Sequence, residues 1–235
     1  MFAIYKRELR AYFVTPLGYI FCGMFLLVSG LLFYWTTLAE QSTESLSEYF
    51  LYLVMMFAIL IPLLTMKLLA DDRRIKTEQL LLTAPVSLTG MVMGKYLAAL
   101  TIYGCTFLVN SFNFVLLYLY GTPNTAAILA NILGTFLIGA AFIAVGLFLS
   151  SLTQSQLIAA VSSIGVIVAM LLLFFVIEYV PYAWLRSVLQ WFSVVDRYLP
   201  FMNQSLSIPA VVYYLSLAAL FVFLTVRVYD KRRWS

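Results

Sequence analysis

Six long, predominantly apolar runs of about 20 residues or more constrain this chain more than any other feature of its sequence. They cover residues 17–38, 49–69, 91–120, 126–149, 157–177 and 209–228. A helix that rises about 1.5 Å per residue needs about 20 residues to cross the hydrocarbon of a bilayer. The runs do not alternate between apolar and polar residues, as strands of a membrane barrel would. The sequence therefore predicts an all-α polytopic membrane protein with six transmembrane helices.

Composition excludes one large soluble core. The chain has 235 residues, is 64% hydrophobic and 10% charged, and has a mean hydropathy of +1.00, whereas soluble domains are about a quarter charged. No soluble domain fits between or beside the six runs. We therefore expect a single membrane domain over residues 1–235, and any source of chemical energy must lie on another polypeptide.

The distribution of Lys and Arg predicts the orientation of the spans. Of the fourteen Lys and Arg residues, only Arg186 and Arg197 fall on one side of a six-helix arrangement. The other side holds Lys6, Arg7, Arg10, Lys67, Arg73, Arg74, Lys76, Lys95, Arg227, Lys231, Arg232 and Arg233. Positive charge accumulates on the cytosolic side of membranes, so both termini and residues 71–90 are expected in the cytosol. The pI near 9.0 then reflects membrane topology and not nucleic-acid binding.

Residues 1–16 form an amphipathic pattern ahead of the first run. The residues that fall within about 100° of arc on a helix are Phe2, Tyr5, Leu9, Tyr12 and Phe13. The basic residues Lys6, Arg7 and Arg10 fall on the opposite side. This pattern is typical of a helix that lies in the membrane interface with its basic face toward anionic headgroups. The alternative is a flank of basic residues with no structure of its own.

Groups that could carry catalysis are scarce. The chain has no histidine and only two cysteines, Cys22 and Cys105, in different runs, and two thiols alone make neither a zinc site nor a disulfide framework. No phosphate-binding loop of the Walker type occurs. Lys95 stands near the start of the third run, where its ammonium group is expected to snorkel out to water.

Two sets of small or polar residues lie inside or directly beside the runs. Asn110 and Asn113 are three residues apart and therefore share a helix face. They either make hydrogen bonds between helices or line a substrate path. Ser155, Ala159 and Ser163 repeat every four residues, a spacing that permits close approach of a helix in the same chain or in a second chain.

The segment 71–90 interrupts two apolar runs with charges, leucines and a proline. Pro85 disfavours helix at the residue before it, and Ser87 or Thr89 can cap the following helix. Leu80, Leu81 and Leu82 would be an exposed apolar site in the cytosol unless a partner covers them. They therefore either dock on a partner or lie flat on the membrane.

The largest segment on the other side of the membrane is 178–208. A short interfacial helix is predicted there by Trp184, Leu185, Val188, Leu189 and Trp191 or Phe192. Tryptophan and tyrosine favour the depth of the lipid headgroups. The segment either blocks an exit path or only anchors the chain in lipid.

Three stretches of the sequence resemble a known family. They are "KTEQLLLTAPVSLTGMVMGKYLAAL", "YKRELRAYFVTPLGYIF" and "VVYYLSLAALFVFLTVRVYDKRRWS". Together with the six-span plan, they resemble the ABC-2-type transporter permeases, in particular the GldF-like branch that is associated with gliding motility and related to NosY-type permeases. The string from Glu78 to Pro85 is the most specific part of the resemblance.

The resemblance implies partners and roles that the residues alone do not. Two permease subunits, identical or paralogous, would pair in a bacterial cytoplasmic membrane, each with a cytosolic ABC ATPase that holds ATP and Mg²⁺; the permease itself would bind no cofactor. Residues 1–16 would be the elbow helix, and 71–90 would contain a coupling helix seated in the ATPase. The residues implied in ATPase contact are Glu78, Gln79, Leu80, Leu81, Leu82 and Thr83.

The function predicted in this way is a permease subunit, without catalysis of its own, that couples ATP hydrolysis on a partner to export or extraction of a substrate. One alternative is a membrane anchor or mechanical scaffold for an ABC ATPase without net transport. A membrane-embedded enzyme is disfavoured by the absence of histidine and of carboxylates inside the runs.

Overall fold

The computed structural model of the protein describes residues 1–38, 46–76, 87–120, 124–203 and 207–233. The helices in these ranges are α1 (Phe2–Val14), α2 (Pro16–Phe33), α3 (Leu46–Thr65), α4 (Ala70–Arg74), α5 (Leu88–Asn110), α6 (Phe112–Tyr120), α7 (Thr125–Leu152), α8 (Gln156–Glu178), α9 (Ala183–Phe192), α10 (Val194–Met202) and α11 (Ile208–Arg233). A π-helical turn, Tyr34–Leu38, extends α2. The described residues contain no strand.

All six predicted spans are confirmed as helices long and apolar enough to cross a membrane. They are Pro16–Thr37, Leu46–Arg74, Leu88–Tyr118, Thr125–Leu152, Gln156–Glu178 and Ile208–Arg233. The third span is interrupted at Ser111, which separates α5 from α6. The protein is therefore an all-α polytopic membrane protein, as its composition predicts.

Several helices begin at a polar residue whose side chain accepts a hydrogen bond from a free backbone N–H. Ser87 accepts from Gly90 at the start of α5, which is one of the two caps that the sequence predicts. Asn124 caps α7, and Ser155 caps α8 by accepting from Ile158. Such caps satisfy N–H groups that have no partner within the helix. Ser155 thus lies ahead of α8, whereas Ala159 and Ser163 are fully buried inside it.

Helix α7 lies at the centre of the bundle and contacts α3, α5, α8, α10 and α11. Of its most apolar window, 72% is buried within the chain, against 22% for the corresponding windows of α8 and α11. Glycines allow this packing at two positions: a Cβ at Gly139 would meet the ring of Tyr103, and one at Gly146 would meet Thr65. The outward faces of α8 and α11 are apolar, as contact with lipid requires.

The segment between the fifth and sixth spans contains two short helices. The predicted helix is confirmed as α9, and none of its residues is buried. Helix α10 was not predicted, and it buries Val194, Val195, Tyr198 and Phe201. The hydroxyl of Tyr198 donates to Asn131 of α7 at 2.8 Å. Helix α10 is thus packed into the bundle, while α9 lies on its surface.

Candidate functional site

Lys95 lies at the centre of a buried charged cluster. Its Nζ lies 3.0 Å from Oε1 of Glu8 and 2.7 Å from Oδ2 of Asp72. The same ammonium donates to the carbonyl oxygen of Leu68 at 2.6 Å. The side chain is 1% exposed, so the prediction that it snorkels to water is wrong. The two carboxylates replace water as its partners, which is the condition under which a buried charge is tolerated.

Helix α1 brings Glu8 to this cluster. Its inward stripe consists of Ile4, Glu8 and Tyr12, which repeat every four residues. The hydroxyl of Tyr12 donates to the carbonyl of Leu64 at 2.7 Å, and burial raises the pKa of this phenol well above its ordinary value. Ile4 packs at Gly94 of α5, where a Cβ would lie 3.4 Å from its methyl group. Helix α1 therefore lies along the start of the third span.

The predicted apolar face of the amphipathic segment differs from the buried one. The helix is present, and Tyr12 is buried, but Phe2 and Phe13 are 76% and 53% exposed. The inward stripe is rotated toward Ile4 and Glu8. The rotation has a physical reason: the acid at position 8 finds a buried lysine as its partner, so the most apolar face is not the one that faces the protein.

Arg7 completes the balance of charge around Lys95. Its guanidinium lies 2.6 Å from Oε1 of Glu8 and 4.0 Å from Oδ2 of Asp72. Partial burial lowers the pKa of Arg7, but the hydrogen bond to Glu8 and the charges of both carboxylates raise it to a net value above its ordinary one. Two acids and two bases thus meet where α1, α4 and α5 approach one another.

Helix α4 is attached to the ends of α7 and α8 as well. The hydroxyl of Ser150 accepts from the backbone N–H groups of Leu69 and Ala70 at 3.2 and 3.0 Å. The side chain of one helix thus caps the start of another. The amide of Gln156, in the first turn of α8, donates to Oδ1 of Asp71 at 2.6 Å.

The end of the last span joins the same region through Ser151 of α7. Its carbonyl oxygen accepts from the guanidinium of Arg232 at 2.6 Å and from that of Arg73 at 3.5 Å. We call this region, defined by Glu8, Asp71, Asp72, Lys95 and Ser150, the charged junction. It lies at the end of the bundle that carries α1 and the end of α11. Through it α4 contacts the first helix and spans three, four and five.

The predicted ATPase-contact residues, Glu78 to Thr83, lie outside the described residues. The described chain continues from α4 to Lys76, which has a φ of 58°, and resumes at Ser87. The charged junction therefore holds both the helix that precedes this segment and, through Lys95, the helix that follows it. The role of Glu78 to Thr83 stays a prediction.

Asn110 and Asn113 lie far from the charged junction. The amide of Asn110 donates to the hydroxyl of Tyr49 in α3 at 2.9 Å, and the amide of Asn113 donates to Oδ1 of Asn110 at 2.9 Å. Asn110 is 1% exposed. Asn110 therefore makes a hydrogen bond between the second and third spans, and Asn113 makes one within the third span. A role for the two residues in a substrate path stays a prediction.

Sequence reasoning missed Glu8 and Asp72 as partners of Lys95. A signal was present in the sequence, because an acid interrupts the stripe Ile4, Glu8, Tyr12 and a lone lysine interrupts the third apolar run. A single acid on an inward face and a single base in a span are complementary when both are buried. Their separation of 87 residues kept any local pattern from linking them.

The polar contacts of this site join helix ends to one another. Among the described residues, no group of three His, Cys, Asp or Glu side chains could hold a metal ion. The charged junction instead ties one short helix by ion pairs and hydrogen bonds to the ends of several spans.

The fold and the charged junction define a polytopic helical membrane protein whose buried polar groups hold helix ends together. A family model described as ABC-2 family transporter protein matches residues 32–227. The chain belongs to this family, and it is accordingly a membrane permease component of an ABC transporter. A comparison with curated proteins gave no match.

Proposed function

We propose that the protein is the membrane-spanning permease subunit of an ABC transporter that couples ATP hydrolysis on a separate ATPase subunit to export or extraction of a substrate. The observation that supports this most is the charged junction. It holds α4 immediately before residues 77–86, which is the segment where the resemblance to the GldF-like branch puts the coupling helix.

In this proposal residues 77–86 of the coupling segment 71–90 sit in a groove of the ATPase, while α4 and the start of α5 at its two ends stay in the bundle. Glu78, Gln79 and Thr83 supply polar contacts, and the three leucines between them supply an apolar core of the kind that dominates small interfaces. ATP and Mg²⁺ are bound by the ATPase. Closure of the ATPase pair displaces the segment and favours one of two arrangements of the spans.

The charged junction gives this displacement a route into the membrane. Asp72 and Asp71 on α4 contact Lys95 of α5 and Gln156 of α8. A shift of α4 therefore requires either that these spans follow or that buried ion pairs separate, and separation of a buried pair is costly. Movement of α4 together with these spans therefore requires less free energy than separation of the buried ion pairs.

The basic residues at the same end of the bundle as the charged junction, among them Arg7, Arg73 and Arg232, favour a cytosolic position for this end, in the cytoplasmic membrane of a bacterium. A second permease subunit, a copy or a paralogue, completes the complex, and each permease subunit receives one ATPase.

Co-purification of the ATPase with the tagged protein tests the proposal. Leu80→Ala with Leu81→Ala removes roughly 3–6 kcal/mol of apolar burial at about 1.5–3 kcal/mol per side chain, so the affinity for the ATPase should fall by more than a hundredfold. The matched control is Leu215→Ala with Leu220→Ala, which removes two exposed leucines from the middle of α11. Retention of the ATPase by the first variant at the yield of the control would refute the coupling role.

A further inference from the structure

We call the end of the bundle opposite to the charged junction the far end. A polar notch lies there. Helix α8 starts beside Asp71 and ends at Glu178, so the two short helices that follow it, α9 and α10, are at the far end. The notch has a volume of about 420 Å³ and is lined by Ser187, Gln190, Trp191, Asp196 and Arg197. None of these residues belongs to the charged junction.

Arg197 is held in the notch by aromatic rings. The carbon centre of its guanidinium lies 5.8 Å from the ring centre of Trp191 and 5.7 Å from that of Tyr213. Contacts of this kind stabilise a cation but do not neutralise it. Within the described residues, no carboxylate forms a salt bridge with Arg197. Its positive charge is available to an anionic ligand.

Asp196 supplies the opposite charge from the neighbouring position. It lies in the first turn of α10, where its backbone N–H donates to the hydroxyl of Ser193. Its Oδ2 is buried and has no hydrogen-bond partner in the described part of the chain. A buried acceptor without a donor is unfavourable by itself. A cationic ligand with N–H donors that binds the same carboxylate from the notch would offset this cost.

The surroundings of the notch indicate that its ligand comes from the membrane. Ser187, Gln190 and Arg186 lie on one side of helix α9. The other side is apolar and includes Trp184 and Trp191, which are each 70% exposed. Tryptophan on such a surface favours the level of the lipid headgroups. Helix α9 therefore lies along the membrane surface and brings the notch to headgroup depth.

We propose that the notch binds the headgroup of an aminophospholipid of the phosphoethanolamine type. The phosphate lies against Arg197, and the primary ammonium donates to Asp196. Gln190 and Ser187 offer further polar groups at the rim. The two adjacent residues of opposite charge match a zwitterion whose charges are a few atoms apart.

The same chemistry disfavours the other common headgroups. A choline headgroup has the same charges but no N–H group, so it cannot donate a hydrogen bond to the carboxylate of Asp196. A glycerol headgroup carries the phosphate without a cation and leaves Asp196 uncompensated. The site is therefore selective for a primary amine as well as for a phosphate.

Native mass spectrometry of the purified full-length protein tests this inference and needs no ATPase. The probes are phosphatidylethanolamine, phosphatidylcholine and phosphatidylglycerol with identical acyl chains, offered at equal concentration. The wild-type protein should retain phosphatidylethanolamine about tenfold more than phosphatidylcholine, the difference expected from one charge-assisted hydrogen bond. Equal retention of the three lipids by the wild-type protein would overturn the proposal, whatever the variants do.

Two variants and one matched control assign the effect to the notch. Asp196→Asn should abolish the preference for ethanolamine over choline, and Arg197→Gln should reduce retention of all three lipids. Arg186→Gln removes an exposed arginine of the same helix pair that does not line the notch, and it should change neither. A loss of selectivity in Arg186→Gln equal to that in Asp196→Asn would overturn the proposal, as would binding of a protein partner in place of lipid at these residues.

Discussion

Replacement of Lys95 tests the energetics of the charged junction. Lys95→Met keeps most of the side-chain volume and removes the charge, so that Glu8 and Asp72, only 13% and 14% exposed, lose their shared counter-charge. Removal of one partner from a buried ion pair costs about 3–5 kcal/mol. Arg7 still lies beside Glu8, which favours the lower figure of about 3 kcal/mol. For a chain of this length that corresponds to a melting temperature lower by about 6–12 °C.

The assay is thermal unfolding in detergent, followed by intrinsic fluorescence. Lys231→Met is the matched control, because it removes an exposed lysine from the same end of the bundle. Adding Glu8→Gln and Asp72→Asn to Lys95→Met removes the stranded charges and should restore part of the lost stability. The reasoning is refuted if Lys95→Met melts with the wild type, or if neutralising the two acids lowers its melting temperature further.

Two other predictions concern packing and orientation. Gly139→Ala places a methyl group against a buried tyrosine ring and should destabilise the fold by about 1–3 kcal/mol. Gly23→Ala, which has open space around the new methyl group, should be neutral or slightly stabilising. Equal melting temperatures of the two variants would contradict this packing. In a background without the two native cysteines, Tyr182→Cys should react with an impermeant thiol reagent in intact cells and Lys76→Cys should not. The reverse pattern would invert the proposed orientation.

The spans could be predicted from the sequence because their cause is local. A helix that crosses a bilayer must be apolar over its whole length, so windows such as residues 157–177 anticipate Gln156–Glu178 within one residue at each end. Helix α9 was predictable for a related reason, since its tryptophans and leucines lie on one side of a helix. Both inferences need only the spacing of residues along the chain.

Helix α10 was missed although its sequence carried a signal. Ser193 and Asp196 have the spacing of a helix N-terminus, and Val194, Tyr198 and Phe201 recur at helical period. Charges at positions 196 and 197 and a proline at position 200 interrupted the pattern of a membrane segment. The helix is stabilised by burial against α7, which is a tertiary effect.

The charged junction could not be derived from periodicity at all. Its ion pairs join Glu8 to Lys95 and Asp72 to Lys95, and the hydrogen bond to Gln156 joins residues 85 apart. Such contacts depend on how α1 and α4 pack on the spans. Sequence reasoning placed Lys95 in water because a lone lysine near the end of a span commonly extends to the interface.

If the complex holds two copies of the protein, as one form of the proposal has it, the distance between their far ends shows whether ATPase movement reaches the spans. A spin label at Tyr182→Cys, in the background without native cysteines, reports this distance by pulsed electron resonance in reconstituted membranes. The distance distribution should change between the nucleotide-free and ATP-bound states, and Leu80→Ala with Leu81→Ala should abolish the change. A distribution that is unaffected by nucleotide in the otherwise unaltered complex, or one that shifts equally in the double variant, would contradict the claim that ATPase movement reaches the spans through the coupling segment.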